Sequence, residues 1–114
     1  LPEEVFVSSG AEARRITKTN DALLKAVTLS KPFTAKVKSK DGTEVEAFFY
    51  PPTKGRTKKA PTILRIHGGP TSQFDFSFDA YAQLYAASGY AVVMVNPRGS
   101  TGYGTNFAAA IYAD

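Results

Sequence analysis

Two short apolar runs, Ile63-Leu64-Arg65-Ile66 and Ala91-Val92-Val93-Met94-Val95, constrain this chain more than any other feature. Nearly continuous runs of this length suit strands covered on both faces, as in a parallel sheet. Between them Phe78, Tyr81, Ala82 and Tyr85 recur at helical spacing, and Gly89 is placed to close the helix. Strand, helix, strand at this separation predicts a βαβ unit with a right-handed crossover. A second helix is expected from Thr105, where Phe107, Ala108, Ile111 and Tyr112 carry on a helical pattern. The fold class that follows is α/β.

Upstream, residues 33–50 read as a hairpin. Phe33, Ala35 and Val37 alternate with Thr34, Lys36 and Lys38, and Val45, Ala47 and Phe49 alternate with Glu44 and Glu46. Asp41-Gly42 is expected to supply the positive φ angles of a tight turn, with Lys and Glu pairing across the strands. Pro51-Pro52 ends the second strand, because proline cannot donate to a ladder. In residues 1–29, Val5-Phe6-Val7 and Arg14-Arg15-Ile16-Thr17 read as two short strands around a turn at Ser8-Ser9-Gly10. Two such strands cannot bury a core alone and need neighbours.

Composition narrows the chemistry. With 43% apolar residues the chain can pack a core, and no apolar run approaches the roughly 18 residues of a membrane span. The absence of cysteine excludes disulfides and thiolate chemistry, and one histidine makes a zinc site improbable. No metal, cofactor, membrane or nucleic-acid partner is therefore expected. The net charge of +4 is dispersed apart from Lys54-Gly55-Arg56-Thr57-Lys58-Lys59, which reads as a solvated loop. Gly99, Gly102 and Gly104 have the wrong spacing for a dinucleotide fingerprint.

The residues that carry chemistry follow the first apolar run: His67-Gly68-Gly69-Pro70. A chain leaving the C-terminal end of a parallel strand enters the crevice where open α/β sheets bind ligands. Two glycines let the backbone turn sharply and aim a main-chain N–H at an oxygen that becomes negative during acyl transfer. A His-Gly-Gly alone equally suits any tight turn.

The segment Pro61 to Thr71, with His67-Gly68-Gly69-Pro70 at its end, resembles the acylaminoacyl-peptidase and dipeptidyl-peptidase branch of the prolyl oligopeptidase family. So does Val95-Asn96-Pro97-Arg98-Gly99-Ser100-Thr101-Gly102-Tyr103-Gly104, which follows the second run. Lys38-Ser39-Lys40-Asp41-Gly42 is similar to the family's entry into its catalytic domain, and Val5 through Asn20 to the closing strands of its β-propeller. The resemblance implies two parts: residues 1–29 as propeller end and linker, and residues 30–114 as the N-terminal part of an α/β-hydrolase sheet. It further implies a Ser-His-Asp peptidase in which the Gly69 N–H is one oxyanion donor, Gly68 shapes the turn, and the whole triad lies beyond Asp114. The chain is then an internal, inactive piece that needs the rest of its protein, or a partner chain, to complete the sheet. A homo-oligomer stays open, and the compartment is cytoplasmic by preference with the periplasm as alternative.

Other residues allow two readings each. His67 lines the site, or acts as a base. Pro70 borders the same turn on the substrate side. Arg98 recognises a peptide carboxylate, or anchors its loop through an internal ion pair. Tyr103 and Phe74-Asp75-Phe76-Ser77-Phe78 line a substrate rim, or pack internally. Ser100 superficially suggests a nucleophile elbow, but Arg98 stands where that motif needs glycine, so a loop serine with local hydrogen bonds is expected. Peptides are the expected substrates. An esterase and a noncatalytic module are the alternatives.

Overall fold

The computed structural model describes residues 2–55, 57–69 and 71–112. Near the N-terminus, β1 (Phe6–Ser8) and β2 (Ala13–Arg15) form an antiparallel hairpin. Glu4 extends it by accepting hydrogen bonds from the Thr17 hydroxyl and the Asn20 backbone, which hold its carboxyl below the usual carboxylate range. A short helix, α1 (Asp21–Ala26), follows, and Arg15 grips Asp21 through two bonds of 2.7 and 2.8 Å. The sequence reading found the hairpin but no helix here. Six residues carry too little periodicity to reveal one, and the Arg15 contact closes a gap between two elements.

The main body is a four-stranded mixed sheet. Its strands are β3 (Phe33–Lys38), β4 (Glu44–Tyr50), β5 (Thr62–Ile66) and β6 (Ala91–Asn96), in the order β3-β4-β6-β5. Strand β6 runs antiparallel to β4 and parallel to β5. The β3–β4 hairpin has the alternation expected of it, and Lys36 pairs with Glu44 across it at 2.8 Å. Its turn differs in detail. Gly42 takes φ +85°, but no non-glycine residue among those described has positive φ. Asp41 instead folds its carboxylate back onto the Ser39 hydroxyl and the Thr43 N–H, an Asx-type turn that tightens the loop without a left-handed Asp.

Helix α2 (Ala80–Ala87) crosses one face of the sheet. The Asp79 carboxylate caps its first turn by accepting from the Ala82 N–H at 2.8 Å. Its far end closes as a Schellman motif: the Gly89 N–H bonds the Ala86 carbonyl and the Tyr90 N–H the Tyr85 carbonyl, each at 3.1 Å, with the Tyr85 and Tyr90 rings in contact. The helix docks through Ala82 and Ala86, both fully buried, while Tyr81 and Leu84 stay exposed. Small side chains bring the helix close enough to seal Phe48, Tyr50, Val92 and Met94. The helical spacing of Tyr81, Ala82 and Tyr85 therefore located the helix and one of its two buried residues, Ala82, while Tyr81 faces outward. Helix α3 (Thr105–Ala109) begins at the expected Thr105 and ends before Ile111.

The opposite sheet face is uncovered among the described residues. Leu64 and Ile66 are 59% and 69% exposed on it, and at the other edge of the sheet Phe33 stacks on Phe49. The expectation of strands covered on both faces thus holds here for one face only. Lys54, Lys58 and Lys59 are exposed as expected, while Arg56 lies outside the described residues.

On the covered face Arg65 forms a 2.5 Å ion pair with Asp79 and lies over the rings of Phe74 and Tyr81. Asp79 thus serves both helix and sheet. Asp79→Asn keeps a cap and loses the pair, and should cost about 1–2 kcal/mol. Asp79→Ala also strands Arg65 without a cap, and should cost about 2–4 kcal/mol. Thermal denaturation of the two variants checks the order.

Candidate active site

The turn that begins at His67 leaves the C-terminal end of β5, and the segment 97–104 leaves the same end of its parallel neighbour β6. The structure knits the two together. His67 Nε2 lies 2.8 Å from Ser100 Oγ, the Thr101 N–H bonds the Ser72 carbonyl at 3.0 Å, and the Thr101 hydroxyl bonds Gln73 at 3.2 Å. At the root of both loops the Asn96 side chain bonds the backbone of Phe74 twice, at 2.8 Å each.

Gly69 sits at φ +138°, where an added Cβ would lie 2.8 Å from the Thr71 nitrogen. Only glycine fits this conformation. Gly68 precedes it in open space, with nothing near its missing Cβ. Gly69 is exposed and lies outside the sheet ladder, and among the described residues its N–H has no hydrogen-bond partner. An unpaired donor held in a braced turn is what an anion-stabilising site requires. Pro70 lies outside the described residues.

Ser100 is fully buried and donates its hydroxyl proton to the Pro97 carbonyl at 2.7 Å. The Nε2 of His67 lies against that same hydroxyl oxygen, and its Nδ1 lies 3.0 Å from the Gly68 carbonyl, so the ring bridges Ser100 and the backbone of the turn. The pair superficially resembles a catalytic dyad, yet Ser100 is fully buried and its hydroxyl is engaged by the Pro97 carbonyl. The His67 ring also packs edge-on against Phe74, at 5.4 Å between centroids.

Arg98 pairs with Asp41 of the β3–β4 turn at 3.0 Å, tying the second loop to the hairpin. The Tyr103 hydroxyl donates to Glu46 at 2.6 Å and accepts from Asn96 Nδ2 at 2.7 Å, and its ring lies against Phe107. Burial, and then the bond to Glu46, raise its pKa, so the phenol keeps the proton it donates. Phe74 packs toward the core cluster, and the Phe76 ring meets Phe48 edge-on.

The structure thus gathers His67, Gly68, Gly69, Arg98 and Tyr103 around one pair of loops. Sequence reasoning missed Asn96 and the buried position of Ser100. The signal for Asn96 was present: it is the polar residue that ends an apolar strand, in phase with Val92 and Met94. Among the described residues no group of three His, Cys, Asp or Glu could hold a metal, and no helix is long and apolar enough to cross a membrane.

Comparison with known proteins adds to this geometry. The profile described as the prolyl oligopeptidase family matches residues 76–114. The uncharacterized peptidase YuxL of Bacillus subtilis (strain 168) is 37% identical over 116 residues, covering 99% of this chain and 18% of that protein. An acylaminoacyl peptidase structure from Pyrococcus horikoshii superposes with a TM-score of 0.86 at 35% identity, covering 95% of this chain and 17% of that one. A puromycin-hydrolyzing peptidase of Mycobacterium tuberculosis gives a TM-score of 0.74 at 26% identity, covering 97% of this chain and 18% of that one. The chain spans about a fifth of the length of these relatives.

Two outcomes are expected. Ser100 should remain unlabelled by a fluorophosphonate probe, because its oxygen is buried and its proton engaged; peptide mapping of the treated protein checks this. The Asp41 carboxyl should titrate at about 2, held down by the Ser39 hydroxyl, the Thr43 N–H and more weakly by Arg98. Its folded pKa lies below the ordinary 3.8, so the stability it contributes is complete above that value and disappears as pH falls through about 2. Carbon-detected NMR of the carboxyl reads the midpoint directly, and Asp41→Asn should abolish that part of the acid dependence.

Proposed function

The chain belongs to the prolyl oligopeptidase family, and from that premise we propose that it supplies the oxyanion-hole loop of a serine peptidase. In this reading residues 30–114 open an α/β-hydrolase catalytic domain. Residues 1–29, with the β1–β2 hairpin, are the closing strands of a β-propeller and its linker. The serine, aspartate and histidine of the triad belong to sequence beyond residue 114. The observation that carries the reading is the Gly69 N–H, without a hydrogen-bond partner among the described residues, in a turn that only glycine can make, at the C-terminal end of a parallel strand.

The chemistry follows from that placement. When a serine oxygen attacks an acyl carbonyl, the carbonyl oxygen gains negative charge. The Gly69 N–H is fixed before the reaction, so it stabilises that charge without reorganising. Gly68 gives the backbone room for substrate. His67 is held by Ser100 and lines the floor of the loop instead of acting as base. Arg98 anchors its loop on Asp41, while the ring of Tyr103 borders the substrate.

Short or N-terminally blocked peptides are the proposed substrates, by likeness to the acylaminoacyl peptidase and the puromycin-hydrolyzing peptidase. The uncovered sheet face, and a radius of gyration of 17.0 Å where a compact domain of this length has about 13 Å, support a chain that packs on further protein.

The test is Gly69→Ala in the full-length protein carrying this sequence. The added methyl displaces the turn, so kcat on a chromogenic peptide should fall about 10²-fold with KM nearly constant. A fluorophosphonate adduct in a crystal should place its oxygen about 2.7–3.1 Å from the Gly69 nitrogen. An unchanged kcat removes the assignment.

A further inference from the structure

We propose that Asn96 is the positioning residue of the oxyanion turn, holding Gly69 in register by acting as a one-residue strand against Phe74. The inference rests on the oxyanion reading of Gly69 and adds the part that fixes it. Asn96 ends β6 and is completely buried. Its Oδ1 accepts from the Phe74 N–H at 2.8 Å, and its Nδ2 donates to the Phe74 carbonyl at 2.8 Å. An amide side chain presents an acceptor and a donor side by side, as a neighbouring strand would. The second Nδ2 proton goes to the Tyr103 hydroxyl at 2.7 Å, which in turn donates to Glu46 at 2.6 Å. Glu46 and Asn96 face each other across the β4–β6 ladder, so the clamp is footed on two strands.

The three bonds orient the amide uniquely. Flipped, it would set oxygen against the Phe74 carbonyl and nitrogen against the Phe74 N–H. Leucine would leave both backbone groups without partners, and glutamine adds a methylene where there is no exposed surface to receive it.

The clamp acts on Gly69 through the short chain between them. His67 is tied to Ser100 at one end of the turn, Ser72 to Thr101 within it, and Phe74 to Asn96 at the other end. All three anchors come from residues 96–101, and the one at Asn96 has two bonds to a single backbone unit. The Phe74 ring also meets the His67 ring and lies under the Arg65 guanidinium. Displacing Phe74 therefore shifts both the exit of the turn and the side chain at its entrance. A donor misplaced by about 1 Å costs on the order of 10²-fold in rate.

The experiment uses the full-length protein carrying this sequence, with a chromogenic peptide substrate and a fluorophosphonate probe. Asn96→Ala should lower kcat about 10–100-fold and leave KM within about twofold, because the oxyanion contact matures only in the transition state. Probe labelling should slow in parallel, and exchange of the Phe74 amide proton should quicken. Asn96→Asp puts an acceptor against the Phe74 carbonyl, beside the Glu46 carboxylate. Its activity relative to the unaltered protein should be lowest near about pH 8 and should recover toward about pH 5, as protonation of the introduced group restores a donor. Asn96→Ala should show no such recovery. Should Asn96→Ala fail to fold, Tyr103→Phe carries the test by removing one of the three bonds, with a smaller loss in kcat at constant KM.

Unchanged kcat in these variants, or a loss confined to KM, overturns the proposal. Gly69→Ala separates the two readings. If it lowers kcat while the Asn96 and Tyr103 variants do not, the clamp is wrong and the oxyanion loop stands. If Gly69→Ala leaves kcat intact, both fall together.

Discussion

A charged side chain on the inner face of a sheet is the constraint around which this structure is arranged. Arg65 stands on β5 between the apolar Leu64 and Ile66, and the sheet turns it toward α2. A guanidinium there is tolerable only if its charge is matched and its faces are covered. Asp79 matches it, and Phe74 and Tyr81 cover it. Asp79 is also the N-cap of α2 and Phe74 the residue gripped by Asn96, so satisfying one cation fixes where the helix starts and where the preceding loop runs. The exit of β5 toward Gly69 is thereby set between two fixed points.

Local patterns in the sequence revealed local structure. The alternation in 33–38 and 44–50, the Gly89 cap and the helix start at Thr105 all depend on residues a few positions apart, and each is found where the pattern puts it. Readings that needed a partner across the sheet went less well. Phe78, Tyr81, Ala82 and Tyr85 mark a helical stripe, yet of these Ala82 is the one fully buried, together with Ala86, because the approach distance is decided by Phe48, Val92 and Met94. Asp41 looks like half of a tight turn and instead accepts bonds from Ser39 and Thr43 while facing Arg98, far along the chain.

The site divides in the same way. Gly68 and Gly69 are legible because a strand followed by paired glycines has few backbone solutions. Asn96 is marked only as a polar residue in phase with buried ones, and its partner is not legible, since Phe74 lies 22 residues earlier in the chain and opposite it in space. Ser100 shows the converse hazard. A serine close to a histidine invites a catalytic reading, and only its complete burial and its bond to the Pro97 carbonyl remove it.

The strand order has a consequence for how such a molecule is built. Strand β6 lies between β4 and β5, yet both precede it in the chain. The β3–β4 hairpin can zip alone, but β5 has no place in the sheet until β6 arrives between them. Closing that gap means ordering the whole helix and its two loops before any pairing compensates the lost entropy, which is the slow step for sheets of non-local topology. The bond between His67 and Ser100 spans 33 residues and forms only once β6 is seated. During synthesis and refolding, the candidate site is therefore the last part of this sheet to take shape, after the framework that holds it.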